Sequence, residues 1–420
     1  MNRIPAVVCS ALAIMSLALP RASGAELLVA DQVGNRIIAL DETTGNFLRV
    51  VTATGLDLPS SLTFGPGGFL YATNFGAYAG PGSKASVVKI DVTTGVTTDY
   101  ITDVAGPGSV AYDPVNAPES LFVSKLANFT QTGADFTGNE VYQYNAAGGG
   151  SPTLTRTIGS GSAATGRSGM AFDAEGDLYV AEFGQFYGIG GVLKYDAQDN
   201  FSSLGSYATG AGVAIETPPG SMIIPPLAGG INGLVFAGDD LYAAALTGTA
   251  MVNFTSEGEQ VVGVQAGGSI AYPSGLALAG DGSILITSMG NNNPGDFFYP
   301  GQLFPGTILR YHPSTGAVTP VLAGDANHDN EVNSDDLAII TASFGVEDKG
   351  DFDGDLVTDG NDFLIWQRSF GNQSAAGISF LPTGIVRYEP AAETAAVPEP
   401  ATMMLSALGG MAIFAWGRRR

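Results

Sequence analysis

The chain has 420 residues, 45% hydrophobic and 14% charged, which excludes a disordered polymer and supplies enough apolar side chains for a substantial core. Its formal net charge of -23 excludes nucleic acid as a partner, because phosphate backbones are held by clustered Lys and Arg, and makes cations the natural ligands. With 59 glycines and few charges, the composition predicts short strands joined by tight turns and an all-β main domain.

Arg3 precedes an apolar run from Ile4 to Leu19, and Ala22-Ser23-Gly24-Ala25 follows with small residues, which predicts a signal peptide over residues 1–25. Cys9, the one cysteine, lies inside that run, so the mature protein is expected to have no thiol. Without disulfides, stability outside the cell must come from a large core or bound metal.

From residue 26 to 323 a three-part rhythm recurs. Alternating segments such as Pro59–Phe64, Gly108–Tyr112, Ser168–Phe172, Asn232–Phe236 and Ser274–Leu278 are each followed, after a turn, by a second strand. These second strands are Leu70–Thr73, Leu121–Ser124, Leu178–Ala181, Leu241–Ala244 and Ile284–Thr287. A third strand follows, as at Ser86–Asp91 and Thr307–Tyr311, with turns such as Thr93-Thr94-Gly95 and Ser314-Thr315-Gly316. A repeat of roughly forty to sixty residues built from about four strands predicts a β-propeller. Five copies are complete, and Leu27–Ala30 begins another at its second strand, which predicts six blades with one first strand missing. Either Gly377–Phe380 or Ile385–Tyr388 would close the ring, making the intervening acidic region an insertion rather than a tail.

This rhythm resembles that of the NHL and SMP-30/gluconolactonase-like propellers. A propeller presents a broad face suited to a binding scaffold, whereas the resemblance implies a secreted metal-dependent hydrolase or lyase, lactonase-like, acting on carbohydrate-derived substrates; a structural envelope or matrix component is the third reading. Polar residues at second-strand ends, namely Asp31, Asn74, Lys125 and Glu182, together with Asn291, would line one mouth of the channel. Glu182, Asn74 and Asp31 are the candidates for catalysis. The two histidines, His312 and His328, lie at no such position, so no histidine acid–base pair is expected. Tyr71, Tyr179 and Tyr242 are expected to be core residues.

Residues 324–372 form a distinct acidic module with ten aspartates. Asp325, Asn327, Asp329, Glu331, Asn333 and Asp336 occupy positions one, three, five, seven, nine and twelve of a calcium loop, with Glu331 offering its backbone carbonyl. The register returns 26 residues later as Asp351, Asp353, Asp355, Val357, Asp359 and Asp362. After each loop, Leu337, Ile340 and Phe344, and likewise Phe363, Trp366 and Phe370, predict one buried helix face, and Gly345 and Gly371 predict the helix ends. Position six is usually glycine, and Leu356 at that position predicts a strained second loop. The duplicated loop–helix unit resembles a type I dockerin, an EF-hand-type calcium module. That resemblance implies calcium as cofactor and a cohesin-like partner, chosen through Ser334-Asp335 and Gly360-Asn361 at positions ten and eleven.

Residues 373–396 read as a linker or propeller-closing strand. Val397-Pro398-Glu399-Pro400, the apolar stretch Ala401–Gly417 and Arg418-Arg419-Arg420 predict a membrane helix with a basic end. This arrangement over residues 397–420 resembles the PEP-CTERM sorting signal, which implies export, handling by an exosortase and a C-terminal membrane anchor. An extracellular polysaccharide is a further candidate partner of a protein so displayed.

Overall fold

The computed structural model describes residues 24–76, 85–104, 106–126, 128–130, 133–135, 140–147, 151–159, 165–184, 191–209, 231–245, 250–254, 260–264, 272–290, 306–345, 349–373 and 380–390. The signal-peptide run, Asn291, Gly377–Ser379 and the sorting segment lie outside the described residues. Among the described residues no helix is long and apolar enough to cross a membrane.

Short alternating strands pair with their neighbours in the chain wherever turn chemistry permits a tight reversal. Sheet I holds β1 (Glu26–Asp31), β2 (Arg36–Asp41) and β3 (Phe47–Thr52); sheet II holds β4 (Pro59–Phe64), β5 (Leu70–Asn74), β6 (Ser86–Ile90) and β7 (Thr97–Ile101). Sheet III is β8 (Pro107–Ala111), β9 (Ser120–Lys125), β12 (Val141–Asn145) and β13 (Thr153–Ile158), with the hairpin β10 (Asn128–Thr130) and β11 (Gly133–Asp135) inserted. Sheet IV is β14 (Thr165–Phe172), β15 (Leu178–Gly184), β16 (Gly191–Asp196) and β17 (Ser202–Thr209). Sheet V is β18 (Ile231–Ala237), β19 (Asp240–Ala245), β20 (Ala250–Phe254) and β21 (Gln260–Val264). Sheet VI is β22 (Pro273–Leu278), β23 (Ile284–Ser288), β24 (Thr307–Tyr311) and β25 (Val318–Pro320). The chain then forms helices α1 (Ser334–Ser343) and α2 (Gly360–Ser369) before its last strand, β26 (Pro382–Tyr388).

Sheets II to VI are each continuous in the chain, and sheet I is a composite in the order β26-β1-β2-β3. β26 pairs antiparallel with β1 from Glu26↔Tyr388 to Asp31↔Pro382. It supplies the first strand that the repeat lacks, so the acidic module is inserted ahead of the closing strand.

The innermost strands β26, β4, β8, β14, β18 and β22 succeed one another around a channel of ≈ 190 Å³. The architecture is a β-propeller. In sheets II to VI the inner strand slips register with its partner at the same place, between Pro59/Leu62, Pro107/Val110, Arg167/Met170, Ile231/Gly233 and Pro273/Leu276. These are bulges that tighten the twist and leave an amide unpaired in the ladder. Second-strand hydroxyls take up several of those amides: Ser61 N donates to Thr73 Oγ1 (3.0 Å), Ser109 N to Ser124 Oγ (2.8 Å) and Gly275 N to Thr287 Oγ1 (2.6 Å). Beside each bulge the next strand comes so close that a Cβ on Gly169, Gly233, Gly275 or Gly384 would collide with the carbonyl of Asn232, Ser274, Thr383 or Ser60.

The cores lie between neighbouring sheets. Leu27, Val29, Ile38 and Leu40 mesh with Leu285 and Ile308 of sheet VI, while Leu28 and Ile37 mesh with Leu62, Leu70 and Val88 of sheet II. Full burial of such a side chain contributes about 2 kcal/mol. Tyr71, Tyr179 and Tyr242 are buried at 1%, 3% and 4% exposure, as expected for inward strand positions.

In the acidic module, Ile340 and Trp366 are buried with Val332 and Leu322, and Trp366 Nε1 donates to the Asn333 carbonyl (2.9 Å). The predicted helix face is shorter than the apolar spacing implied. Phe344 and Phe370 are C-caps beyond the last helical turn, 53% and 58% exposed, and Phe363 is 37% exposed. Gly345 and Gly371 take the left-handed conformation, φ 69° and 87°, that ends each helix.

Candidate metal centre

The two loops repeat one hydrogen-bond pattern. At position one, Asp325 Oδ2 and Asp351 Oδ2 each accept the position-six amide, from Asn330 and Leu356, at 2.9 Å. At position five, Asp329 and Asp355 accept the amides of Glu331 and Val357, both at 2.9 Å. At position three, Asn327 and Asp353 accept the amides of Asp329 (2.9 Å) and Asp355 (3.3 Å). The position-twelve carboxylates, Asp336 and Asp362, are fully buried and accept the amides of Ala326 (2.8 Å) and Phe352 (2.7 Å). Asp336 and Asp362 also accept the amides of Asn333 and Asp359, both at 2.7 Å, as the third residue of a capping box.

The side chains at position nine have a second job. Asn333 and Asp359 are the helix N-caps, accepting the amides of Asp335 and Asn361 at 2.7 Å. The signal for this was present, since Asn333-x-x-Asp336 and Asp359-x-x-Asp362 each place an acid three residues after a good cap. Two features gave no such signal. Position four also adopts positive φ, at His328 (59°) and Gly354 (77°). Position eight cross-links the repeats: Gly371 N donates to Val332 O (2.8 Å), and Gly345 N donates to Thr358 O (2.9 Å).

At position six, Asn330 has φ 71° and Leu356 φ 72°, so the strain anticipated at Leu356 is present in the backbone. Glu331 and Val357 are exposed, leaving their side chains outside the loops.

The electrostatics suit a divalent cation. Asp351, Asp353 and Asp355 bring carboxylate oxygens within 4.8 Å of one another. Burial pushes the Asp325 carboxyl up to about 8, with Asp336 and Asp329 pushing the same way. Burial also raises Asp336 and Asp353, the latter aided by the charges of Asp362, Asp355 and Asp351. Like charges gathered this closely favour the proton in a cation's place, and oxygen-rich sets of this kind match hard ions such as calcium.

The channel is different. It is lined by Ser, Thr, Gly, Asn, Tyr, Met and aliphatic residues, and Asp31, Asn74, Lys125 and Glu182, expected at its mouth, are not among the lining. Each candidate at a second-strand end already has structural partners. Asp31 is fully buried, accepting Arg36 Nε (2.7 Å) and the amides of Gly34 and Leu381 (both 3.1 Å). Asn74 accepts the Asp57 amide (3.0 Å) and donates to the Gly55 carbonyl (2.9 Å). Glu182 pairs with Arg167 at 2.7 Å and Lys125 with Glu140 at 3.3 Å.

Comparison with known proteins adds one functional assignment. Residues 396–420 match the PEP-CTERM protein-sorting motif. The motif marks an exported protein sorted by an exosortase and held at the cell envelope through its C-terminal segment. No curated protein matches the chain. Among solved structures, a nidogen/laminin complex is similar at 12% identity, covering 70% of this chain and 92% of that one, with a TM-score of 0.48. Virginiamycin B lyase from Staphylococcus aureus is similar at 13% identity, covering 71% and 84%, with a TM-score of 0.43. These likenesses carry no argument about function.

Proposed function

We propose that this exported propeller protein binds two calcium ions in residues 324–372 and serves at the cell envelope as a calcium-stabilised binding scaffold. The observation supporting this reading is the pair of loops that repeat one hydrogen-bond network, with acidic or amide side chains at every position expected to bind through its side chain. Asp325, Asn327, Asp329, Asn333 and Asp336 would hold one ion with the Glu331 carbonyl; Asp351, Asp353, Asp355, Asp359 and Asp362 would hold the other with the Val357 carbonyl. Bound calcium neutralises the gathered carboxylates, and its binding free energy adds to that of folding. Isothermal titration of the mature chain, stripped with chelator, should show two sites; an absence of calcium binding overturns the reading.

Lactone hydrolysis finds no support in Asp31, Asn74 and Glu182, whose polar atoms hold strands and turns together. A docking role through a cohesin-like partner would use the exposed Ser334-Asp335 and Gly360-Asn361. Pull-down with and without calcium tests it.

A further inference from the structure

The first calcium loop touches the place where the propeller ring closes. Asn330, only 6% exposed, is held in its left-handed conformation by the bond from its amide to Asp325, and its side chain donates to the Gly306 carbonyl at 2.7 Å. Gly306 is equally committed on its other side. A Cβ there would stand 2.5 Å from both the Phe380 carbonyl, just ahead of β26, and Cδ of Pro382, its first residue. A single glycine thus lies between the calcium loop and the closing strand.

A second path runs through the backbone. Val332, in the same loop, exchanges hydrogen bonds with the exit of α2, donating to Asn372 O (3.0 Å) and accepting from Gly371 N (2.8 Å). Gln373 then accepts the amide of Phe47, at the start of β3 (3.1 Å). Ahead of the module, the Val321–Leu322 backbone lies so close to Gly45 that a Cβ there would collide with it. Both ends of the module are therefore seated on sheet I, and its first loop on sheet VI. Opening the loop would release a long segment between β25 and β26, and long loops make strand pairing entropically costly.

We infer that calcium loading of the first loop governs closure of the propeller ring, by fixing Asn330 on Gly306 and thereby the approach of β26 to β1. The inference rests on the calcium reading above and adds a regulatory consequence to it. Closure has calcium-independent support as well: Leu381 is bonded to Asp31 and Gln32, and Arg387 to both Glu42 oxygens at 3.0 and 2.8 Å. Calcium is thus expected to change how often the seam opens without being needed for every contact in it.

Hydrogen exchange of the mature chain, with saturating calcium or with chelator, tests the inference at single strands. Calcium should slow exchange of the amides of β1 and β26 about tenfold or more, and leave those of β18 and β19 in sheet V nearly unchanged. Asn330→Gly keeps the left-handed backbone but deletes the carboxamide. It should still bind two calcium ions while losing about fivefold of the protection at β26, the effect of one buried hydrogen bond. Calcium binding without a calcium effect on β26, or an unaltered effect in Asn330→Gly, overturns the inference and leaves the calcium reading standing. Absence of calcium binding removes both.

Discussion

The two loops of the acidic module share a backbone trace but not an environment. Asn330 in loop one is 6% exposed and bonded to the propeller, whereas its counterpart Leu356 is 48% exposed. Loop one carries Asn327 and Asn333 where loop two carries Asp353 and Asp359. At position three the change follows burial, Asn327 being half-buried and Asp353 exposed, because a carboxylate placed against protein loses hydration that a neutral amide needs less. Loop two touches the propeller as well, with Gly354 beside His312 and Ala317, but turns Asp353 and Asp355 to water, where charge is better tolerated. Duplication has thus yielded one loop whose sixth residue is hydrogen-bonded into the scaffold and one whose sixth residue is turned to water.

The largest perturbation should come from the seam that loop one adjoins. Removing residues 376–390 deletes β26, exposes the apolar face of β1 and should lower the melting temperature by about 10 °C or more. Unchanged melting would mean that β26 is not part of the stable ring. Next, Asp325→Ala removes the acceptor of the Asp329 amide and of the buried Asn330 amide and should destabilise the propeller by about 3 kcal/mol. Asp351→Ala should spare the propeller's unfolding transition, and equal effects from the two would erase the distinction between the loops.

pH gives a third test. The Asp325 carboxyl is raised by burial from 3.8 to about 8, so the folded chelated module binds a proton more tightly than the unfolded chain. That contribution to stability is fully present below about pH 4 and is lost as pH rises through about 8. Chelated protein should therefore lose module stability across this range, whereas saturating calcium, which binds the deprotonated ligands, should abolish the fall. Calorimetric scans at several pH values would show it.

Smaller effects are expected at single contacts. Glu42→Ala removes the acceptor of Arg387 Nε and of the Gly280 amide and should cost about 2 kcal/mol in denaturant unfolding. Leu356→Gly relieves a left-handed leucine whose side chain is half in water. It should tighten calcium binding at loop two about tenfold, corresponding to 1–2 kcal/mol of backbone strain. A loss of affinity there would show that the Leu356 side chain packs usefully when calcium is bound.

Much of this was legible from spacing. Strand rhythm, the duplication at 26 residues, the helix-ending glycines and the strained Leu356 all depend on local sequence, which periodicity reads directly. What escaped depends on partners far along the chain. Asp31 reads as a polar strand end facing a channel, but its carboxylate holds Leu381, 350 residues away. Phe344 and Phe370 continue the apolar spacing of their helices, yet the helices end one residue earlier and leave both rings more than half exposed, Phe370 keeping only an edge-on contact with Trp366. Asn330 can take the left-handed backbone of a position-six glycine, but nothing local shows that its carboxamide meets Gly306.

The composite sheet also sets a timetable. A chain made and exported from its first residue onward exposes the inner, channel-side edge of β1 long before Pro382–Tyr388 can arrive to cover it. Blades II to VI can form in order as they emerge, but the circle stays open until nearly the whole polypeptide has crossed. The sorting segment follows within a few residues of that final strand. Completion of the ring and presentation of the sorting signal therefore fall at almost the same moment of export.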